Sequence, residues 1–362
     1  MTVFSSTAHA STASSAFLSG GNALFSGRGG AGVSDAYSGI SYINPASMAL
    51  IERFSISFNY GSLDSDFIYP WSAMAFPTAY GVIGLGFGYF TMEEEIEPAQ
   101  KGYLFSLDFA KELTSKFLFG ISLDGMSSQY AENTYFAGIK PGFIYRFDGS
   151  ASAGGFGFFN PAIGLSADIG FSSGEDSDIN SITAGYSFTP YMTRTFSVGF
   201  FNDISVIQGY SEYPVKFGLE LGFFNSFFLR GGAVVPDTYE FMTYTGGAGF
   251  KLKGDTYSCS LNYAFSYSGE QGASHFAGIN FEYGSLDRDP PVLSIVPDYT
   301  YISPNHDGVQ DYLVFDIDVT DRSRITGWKL QIRDDKDMTV KEFRMSDREI
   351  DESLTPAAFF RR

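Results

Sequence analysis

From Phe54 to Tyr283 the chain runs almost without pause through about fourteen segments of roughly ten residues. In each, apolar residues alternate with small or polar ones. Gly84-Leu85-Gly86-Phe87-Gly88-Tyr89 is one example, and Ile163-Gly164-Leu165-Ser166-Ala167-Asp168-Ile169-Gly170-Phe171 is another. Successive side chains on a strand point to opposite faces, so each segment has one greasy face and one face of Gly, Ser, Asp or Asn. A soluble sheet hides its greasy face on a core. Here the greasy faces are too many and too regular, and helices to cover them are too few. The pattern predicts an all-β fold, a closed transmembrane antiparallel barrel of about 14 strands whose outside meets lipid.

The chain has 362 residues, enough for a large domain and a small one. It contains no run of about eighteen apolar residues, which excludes a membrane-spanning helix. Barrel strands escape that test, because only every second residue must be apolar. Aromatic residues make up 17% of the chain, nearly all Phe and Tyr, which suits a barrel with aromatic girdles. A net charge of −18 without a basic patch argues against nucleic acid as a partner. The single cysteine, Cys259, can form no internal disulfide and reads as a small apolar filler within a strand. Nothing points to catalysis. His9, His275 and His306 are far apart and lack ligand partners at metal spacing. No Gly-x-Ser-x-Gly elbow precedes a helix.

Three regions differ in composition. Residues 1–52 are rich in Ser, Ala and Gly, residues 53–284 are the strand array, and residues 285–362 are a polar module. That last region holds 27 of the 64 acidic and basic residues but only two of the 41 glycines, Gly308 and Gly327. Asp289-Pro290-Pro291 reads as its linker. Thr7-Ala8-His9-Ala10-Ser11 has the form of a cleavage site, so residues 1–10 are either the tail of a signal peptide or a short disordered leader. Tight turns are expected at Pro77-Thr78, Leu113-Thr114, Pro190-Tyr191-Met192 and Asn225-Ser226, alternating with longer acidic loops. Barrels of the outer membrane have this asymmetry, with the long loops outside.

Parity assigns the faces. Phe117, Phe119, Ile121 and Leu123 fall on the lipid side, as do Val215, Phe217, Leu219 and Leu221, and Tyr257, Leu261, Tyr263 and Phe265. Asp108, Asp124, Asp168, Glu220, Asn262, Asn280 and Glu282 fall on the lumen side. An unpaired carboxylate facing lipid is costly, while a wet or hydrogen-bonded lumen tolerates it. A two-sheet sandwich would alternate too, but would not need such uniform strands.

Ahead of the strands stand Gly27-Arg28-Gly29-Gly30-Ala31-Gly32-Val33-Ser34-Asp35-Ala36-Tyr37 and Ile43-Asn44-Pro45-Ala46-Ser47-Met48. This stretch resembles the N-terminal signature of the FadL-type outer-membrane transporter superfamily, with its PorV-like and spirochaete branches. Ser47 departs from it, since Gly is usual there. The resemblance covers roughly residues 25–284. It implies a fourteen-stranded barrel with residues 11–52 folded inside as a hatch, marked by Arg28, Gly29, Gly30, Asn44, Pro45 and Ala46. A surface arm ending in a turn is the alternative. The family's substrate contacts follow no simple motif, and none is carried over.

Ile302-Ser303-Pro304-Asn305-His306-Asp307-Gly308-Val309-Gln310-Asp311 is similar to the opening of small Ig-like modules, and the resemblance implies a β-sandwich-like fold over residues 285–362, either complete or incomplete. Asn305, Asp307 and Asp311 around Gly308 resemble part of a calcium loop, and a turn held by Asx hydrogen bonds is the other reading. The function expected is uptake, across the bacterial outer membrane, of hydrophobic small molecules, with long-chain fatty acids implied by the family. Phe241 and Tyr130 would catch the ligand at the outer loops. The alternative is an anchor in outer-membrane lipid whose residues 285–362 bind a periplasmic or envelope protein. A soluble β-rich surface protein is the third reading.

Overall fold

Alternation of apolar and small residues becomes a wall of strands. The computed structural model describes residues 22–36, 39–40, 42–63, 67–92, 100–129, 133–151, 153–172, 180–208, 213–235, 242–269, 272–284, 292–297, 314–320, 329–333, 336–344 and 358–359. In chain order the first strands are β1 (Phe54–Leu63), β2 (Phe67–Thr78), β3 (Gly81–Met92), β4 (Gln100–Thr114), β5 (Phe117–Gln129), β6 (Asn133–Arg146) and the two-residue β7 (Ser150–Ala151). Then come β8 (Phe156–Ser172), β9 (Ser181–Met192), β10 (Phe196–Ile207), β11 (Val215–Phe223), β12 (Phe227–Val235), β13 (Thr243–Lys253), β14 (Tyr257–Ser268) and β15 (Gly272–Tyr283). Each pairs antiparallel with its neighbour, β6 pairs with β8, and β1 pairs with β15 from Phe54↔Tyr283 to Leu63↔Ser274. All but β7 thus close into a barrel of 14 strands with no free edge in the wall.

The outer face is greasy in its middle, with Leu85, Leu107, Leu123, Ile163, Leu165, Ile204, Phe217 and Leu229 exposed. Tyrosines ring it at both ends. Tyr145, Tyr257 and Tyr283 stand at one rim, and Tyr60, Tyr103, Tyr135, Tyr244 and Tyr267 at the other. Amphipathic phenols suit the two membrane–water interfaces. Leu123, half exposed at the middle of β5, tests the assignment. Leu123→Arg should cost about 2–4 kcal/mol of unfolding free energy in bilayers. Urea titration in vesicles reads it, and a cost near zero would remove Leu123 from the lipid belt.

Short turns crowd one rim, and they fall slightly later than the sequence suggests. Pro77-Thr78, Leu113-Thr114 and Pro190-Tyr191-Met192 lie in strands, and the chain turns at 79–80, 115–116 and 193–195. Threonine is the reason. The Thr114 hydroxyl accepts the N–H groups of Lys116 (3.3 Å) and Phe117 (3.1 Å), and that of Thr193 accepts those of Thr195 (3.4 Å) and Phe196 (3.0 Å). A side chain that satisfies turn donors lets the strand run up to it. The expected turn at Asn225-Ser226 lies within the 224–226 turn. Connections at the opposite rim run through residues 64–66, 93–99, 130–132, 173–179, 209–212, 236–241 and 270–271, outside the described residues.

Residues 286–362 form a second compact unit. Its described strands are β16 (Val292–Pro297), β17 (Val314–Thr320), β18 (Lys329–Arg333), β19 (Thr339–Arg344) and β20 (Ala358–Phe359). They pair as a three-stranded sheet, β16-β17-β20, and a β18-β19 hairpin. Asn305, Asp307 and Asp311 lie outside the described residues, as do Tyr130, Phe241 and residues 1–21.

Candidate functional site

The described residues of the segment Asn22–Arg53 lie inside the barrel and follow the wall strand by strand. A single-turn helix, Ala23–Ser26, starts it, capped by the Asn22 side chain, which accepts the Leu24 N–H at 2.9 Å. Next, Gly29 donates its N–H to Thr245 Oγ1 on β13 at 2.9 Å. Gly32 and Val33 both donate to Asp203 Oδ2 on β10, at 2.7 and 3.0 Å. Asn44 then reaches β6, and a 3₁₀ helix, Pro45–Leu50, leads toward β1.

The Asn-Pro-Ala triplet has a physical role at each position. Asn44 Oδ1 accepts the Ala46 N–H at 3.0 Å, while its Nδ2 donates to the carbonyls of Val33 (2.6 Å) and Phe143 (3.1 Å). One side chain therefore caps the helix, ties it to the earlier turn and pins both to β6. Pro45 occupies the first helical position, where a missing N–H costs nothing. Ala46 packs flat on Gly120 of β5, where an added Cβ would sit 2.4 Å from the Ala46 nitrogen. The single Ser47 O–H is shared between the Asn44 and Gly39 carbonyls, at 2.9 and 3.1 Å.

A belt of wall glycines makes room for this segment. They pair across strands as Gly120↔Gly142, Gly164↔Gly185 and Gly218↔Gly232. A Cβ on Gly142 would lie 2.0 Å from Asn44 Oδ1, and one on Gly164 2.1 Å from the Val33 carbonyl oxygen. A Cβ on Gly232 would come within 2.3 Å of the Gly29 nitrogen. Gly29 itself has φ +67° and approaches the Phe217 carbonyl, which a larger residue could not do.

Charged groups meet in two clusters. In the first, Lys140 on β6 pairs with Asp168 on β8 at 2.8 Å and donates to the Tyr42 carbonyl at 2.7 Å. Asp108 and Asp124 stand on the neighbouring strands, accepting from Ser106 (3.1 Å) and Ser122 (2.7 Å). Burial pushes the Tyr42 phenol well above its ordinary pKa, and the Asp108 carboxylate adds to the push. In the second cluster, Arg28 pairs with Asp35 at 2.7 Å and lies over the Phe201 ring at 3.8 Å. Beside it, Arg230 bridges Glu220 (2.7 Å) and Asn262 (2.8 Å).

The lumen thus has two unlike halves. Toward the long-connection rim, Tyr69, Trp71, Phe90, Leu104, Met126 and Phe276 form an apolar cluster with Ile40 and Tyr42 of the inner segment. Gly86 and Gly88 of β3 leave space for the Trp71 ring, which meets Tyr42 edge-on at 4.4 Å. Toward the short-turn rim lies a cavity of about 380 Å³ with a mixed lining, in which Asn59, Glu220, Arg230 and Glu282 stand beside Phe188 and Phe228.

The residues marked from the sequence therefore separate into groups. Arg28, Gly29 and Gly30 lie against β11–β13, whereas Asn44, Pro45 and Ala46 lie across the lumen on β5 and β6. Asp108, Asp124 and Asp168 come together around Lys140, while Glu220, Asn280 and Glu282 border the cavity near the short-turn rim. Sequence reasoning missed Asp203, Lys140 and Arg230. Lys140 and Arg230 have inward parity and were open to detection, but only acidic and amide residues were read on that face. Asp203 was equally open to detection, since it shares the inward parity of Phe201 and Ser205 and the register shift beside Val198 and Phe200 puts its extra residue in β9. Among the described residues, no group of three His, Cys, Asp or Glu is set to hold a metal.

No family model matches the chain, and no curated protein matches it. Solved structures do. The CymD monoaromatic hydrocarbon channel matches with TM-score 0.50 at 12% identity, over 75% of this chain and 99% of that one. The Pseudomonas putida toluene transporter TodX matches with TM-score 0.46 at 12% identity, over 72% and 97%. A Pseudomonas aeruginosa FadL homologue matches with TM-score 0.44 at 9% identity, over 73% and 98%. At such identities the likeness is one of fold. The chain is a fourteen-stranded antiparallel β-barrel with an apolar outer belt, and its fold is similar to that of the CymD monoaromatic hydrocarbon channel.

Proposed function

We propose that the barrel takes up hydrophobic small molecules across the outer membrane, with long-chain fatty acids among its cargo, and that Asn22–Arg53 is its hatch. The observation that carries this reading is the apolar half of the lumen. Tyr69, Trp71, Phe90, Leu104, Met126 and Phe276 occupy inward positions that a water-filled pore would give to polar residues. The fold likeness to a hydrocarbon channel supports it. A greasy molecule would leave water for this cluster and pass when the inner segment shifts, with no bond made or broken.

The test is growth on oleate of a bacterial host whose own fatty-acid channel is deleted. The full chain should restore growth, and so should a chain ending at Ser285, since the barrel and the second unit are separate compact bodies. Trp71→Asp should not. No growth with either chain, each folded in the outer membrane, would refute the reading.

A further inference from the structure

One amide stands on the lipid-facing side of the wall without a partner. Asn202 lies at the middle of β10, opposite Tyr186 of β9 and Phe217 of β11 in the register. Those two rings are exposed, and so are Phe200 and Ile204, two residues before and after Asn202 along β10. All four point outward, so Asn202 does as well. Two other polar side chains on this face are paired within the wall. Ser72 donates to the Phe87 carbonyl at 3.3 Å, and the Tyr263 hydroxyl meets His275 Nδ1 at 2.8 Å. Among the described residues, nothing hydrogen-bonds the Asn202 carboxamide. An amide facing hydrocarbon is costly until it is paired.

The surface around it is shaped. Asn202 borders a groove of about 640 Å³ on the outer face, walled by Phe143, Leu165, Ile204 and Phe217. The hollow exists because Ala184 stands on β9 between two large cross-strand neighbours, Leu165 of β8 and Ile204 of β10. Lipid chains can fill a groove, but at this depth they carry neither donor nor acceptor. The occupant must bring a hydrogen-bonding group to the level of Asn202 and apolar surface on either side of it.

A second copy of this chain meets both demands. A carboxamide is its own complement, because it carries N–H donors and an oxygen acceptor side by side. Copies inserted in the same direction are related by a two-fold axis along the membrane normal, which brings a residue on the axis to its own counterpart at the same depth. An axis beside Asn202 sets β10 against β10, and β9 of one copy against β11 of the other. The exposed Phe217 ring on β11 then turns toward the hollow at Ala184 on β9 of the second copy. We propose that the outer face of β9–β11 is a dimer interface, joined at its centre by a pair of Asn202 amides. This interface is independent of the uptake reading, since it lies on the lipid side of the wall and not in the lumen.

Energy transfer between donor- and acceptor-labelled full chains in phosphatidylcholine vesicles, followed as lipid is added, tests this. The parent chain should show transfer that falls on dilution as a two-body equilibrium requires. Asn202→Leu suits the lipid face and should fold as well as the parent. It is expected to weaken association about tenfold, equivalent to ~1.4 kcal/mol. Ala184→Phe, which fills the hollow from outside, should weaken it in the same direction. Leu85→Ala on β3, across the barrel from this face, should leave association unchanged. Transfer no greater than random mixing at every dilution would overturn the proposal and leave Asn202 to a small hydrogen-bonding molecule or a different protein. Association that survives in both Asn202→Leu and Ala184→Phe, or that Leu85→Ala weakens as much, would overturn it too, by placing the contact elsewhere on the wall.

Discussion

Gly142→Val is expected to convert a closed barrel into a conducting one. A Cβ at this position would fall 2.0 Å from Asn44 Oδ1 and 2.8 Å from Pro45 Cδ. Neither atom can swing away. Asn44 is held by the Val33 and Phe143 carbonyls and by the Ala46 N–H, and the Pro45 ring is rigid. The wall strand cannot retreat either, because β6 is paired along both sides. The inner segment must therefore come off the wall there, losing three hydrogen bonds of about 1 kcal/mol each. A loss of ~3 kcal/mol moves a closed-to-open equilibrium by about two orders of magnitude. Single-channel recording in planar bilayers should show long open dwell times where the parent protein is mostly closed. Gly246→Val is the control, since a side chain there meets nothing within 4 Å. Equal conductance of Gly142→Val and the parent, both folded, would mean that the inner segment does not close the lumen at Asn44.

The second large effect is expected at Lys140. Its ammonium group is almost wholly buried, 2.8 Å from Asp168, and its other contact is the Tyr42 carbonyl. Asp108 and Asp124 are close enough to feel its charge. One cation therefore serves three carboxylates in a space that water reaches poorly. Lys140→Met removes it and leaves the carboxylates facing one another. Breaking a buried pair from one side costs about 3–5 kcal/mol, much of it from the stranded partner. The midpoint of urea unfolding in vesicles should fall accordingly. Adding Asp168→Asn should recover more than half of the loss, because it removes the stranded charge. A single-variant effect below about 0.5 kcal/mol would show that water or ions already neutralise the cluster.

The wall was legible in the sequence for a reason that does not extend to its contents. Lipid outside and a packed or wet lumen inside impose a period of two on every strand. Leu123 and Asp124, Phe217 and Gly218, and Leu261 and Asn262 each declare their faces without further information. Fourteen such segments fix the strand number and, through closure, the neighbours. The glycine belt escaped, although its members were visible as alternating residues. Gly142 and Gly164 look like any inward small residue until Asn44 and Val33 are placed against them. The same holds for Asp203. Its role is to receive two backbone N–H groups from residues far earlier in the chain, a pairing that has no period and no spacing. Asn44 lies between these cases. Asn-Pro announces a turn from sequence alone, but only the folded chain reveals that its amide joins the turn to the wall.

Pairing of β1 with β15 also dictates how the molecule can be assembled. The first wall strand made during synthesis finds its second partner only in the last, so Phe54–Leu63 keeps one unpaired edge until Gly272–Tyr283 exists. An open edge inside a bilayer leaves backbone groups with no water to bind. Insertion and closure are therefore expected to finish together, late and in one step. The inner segment precedes β1 in the chain and rests on the glycine belt of the finished barrel, so its wall contacts are complete only once strands as late as β13 are in place.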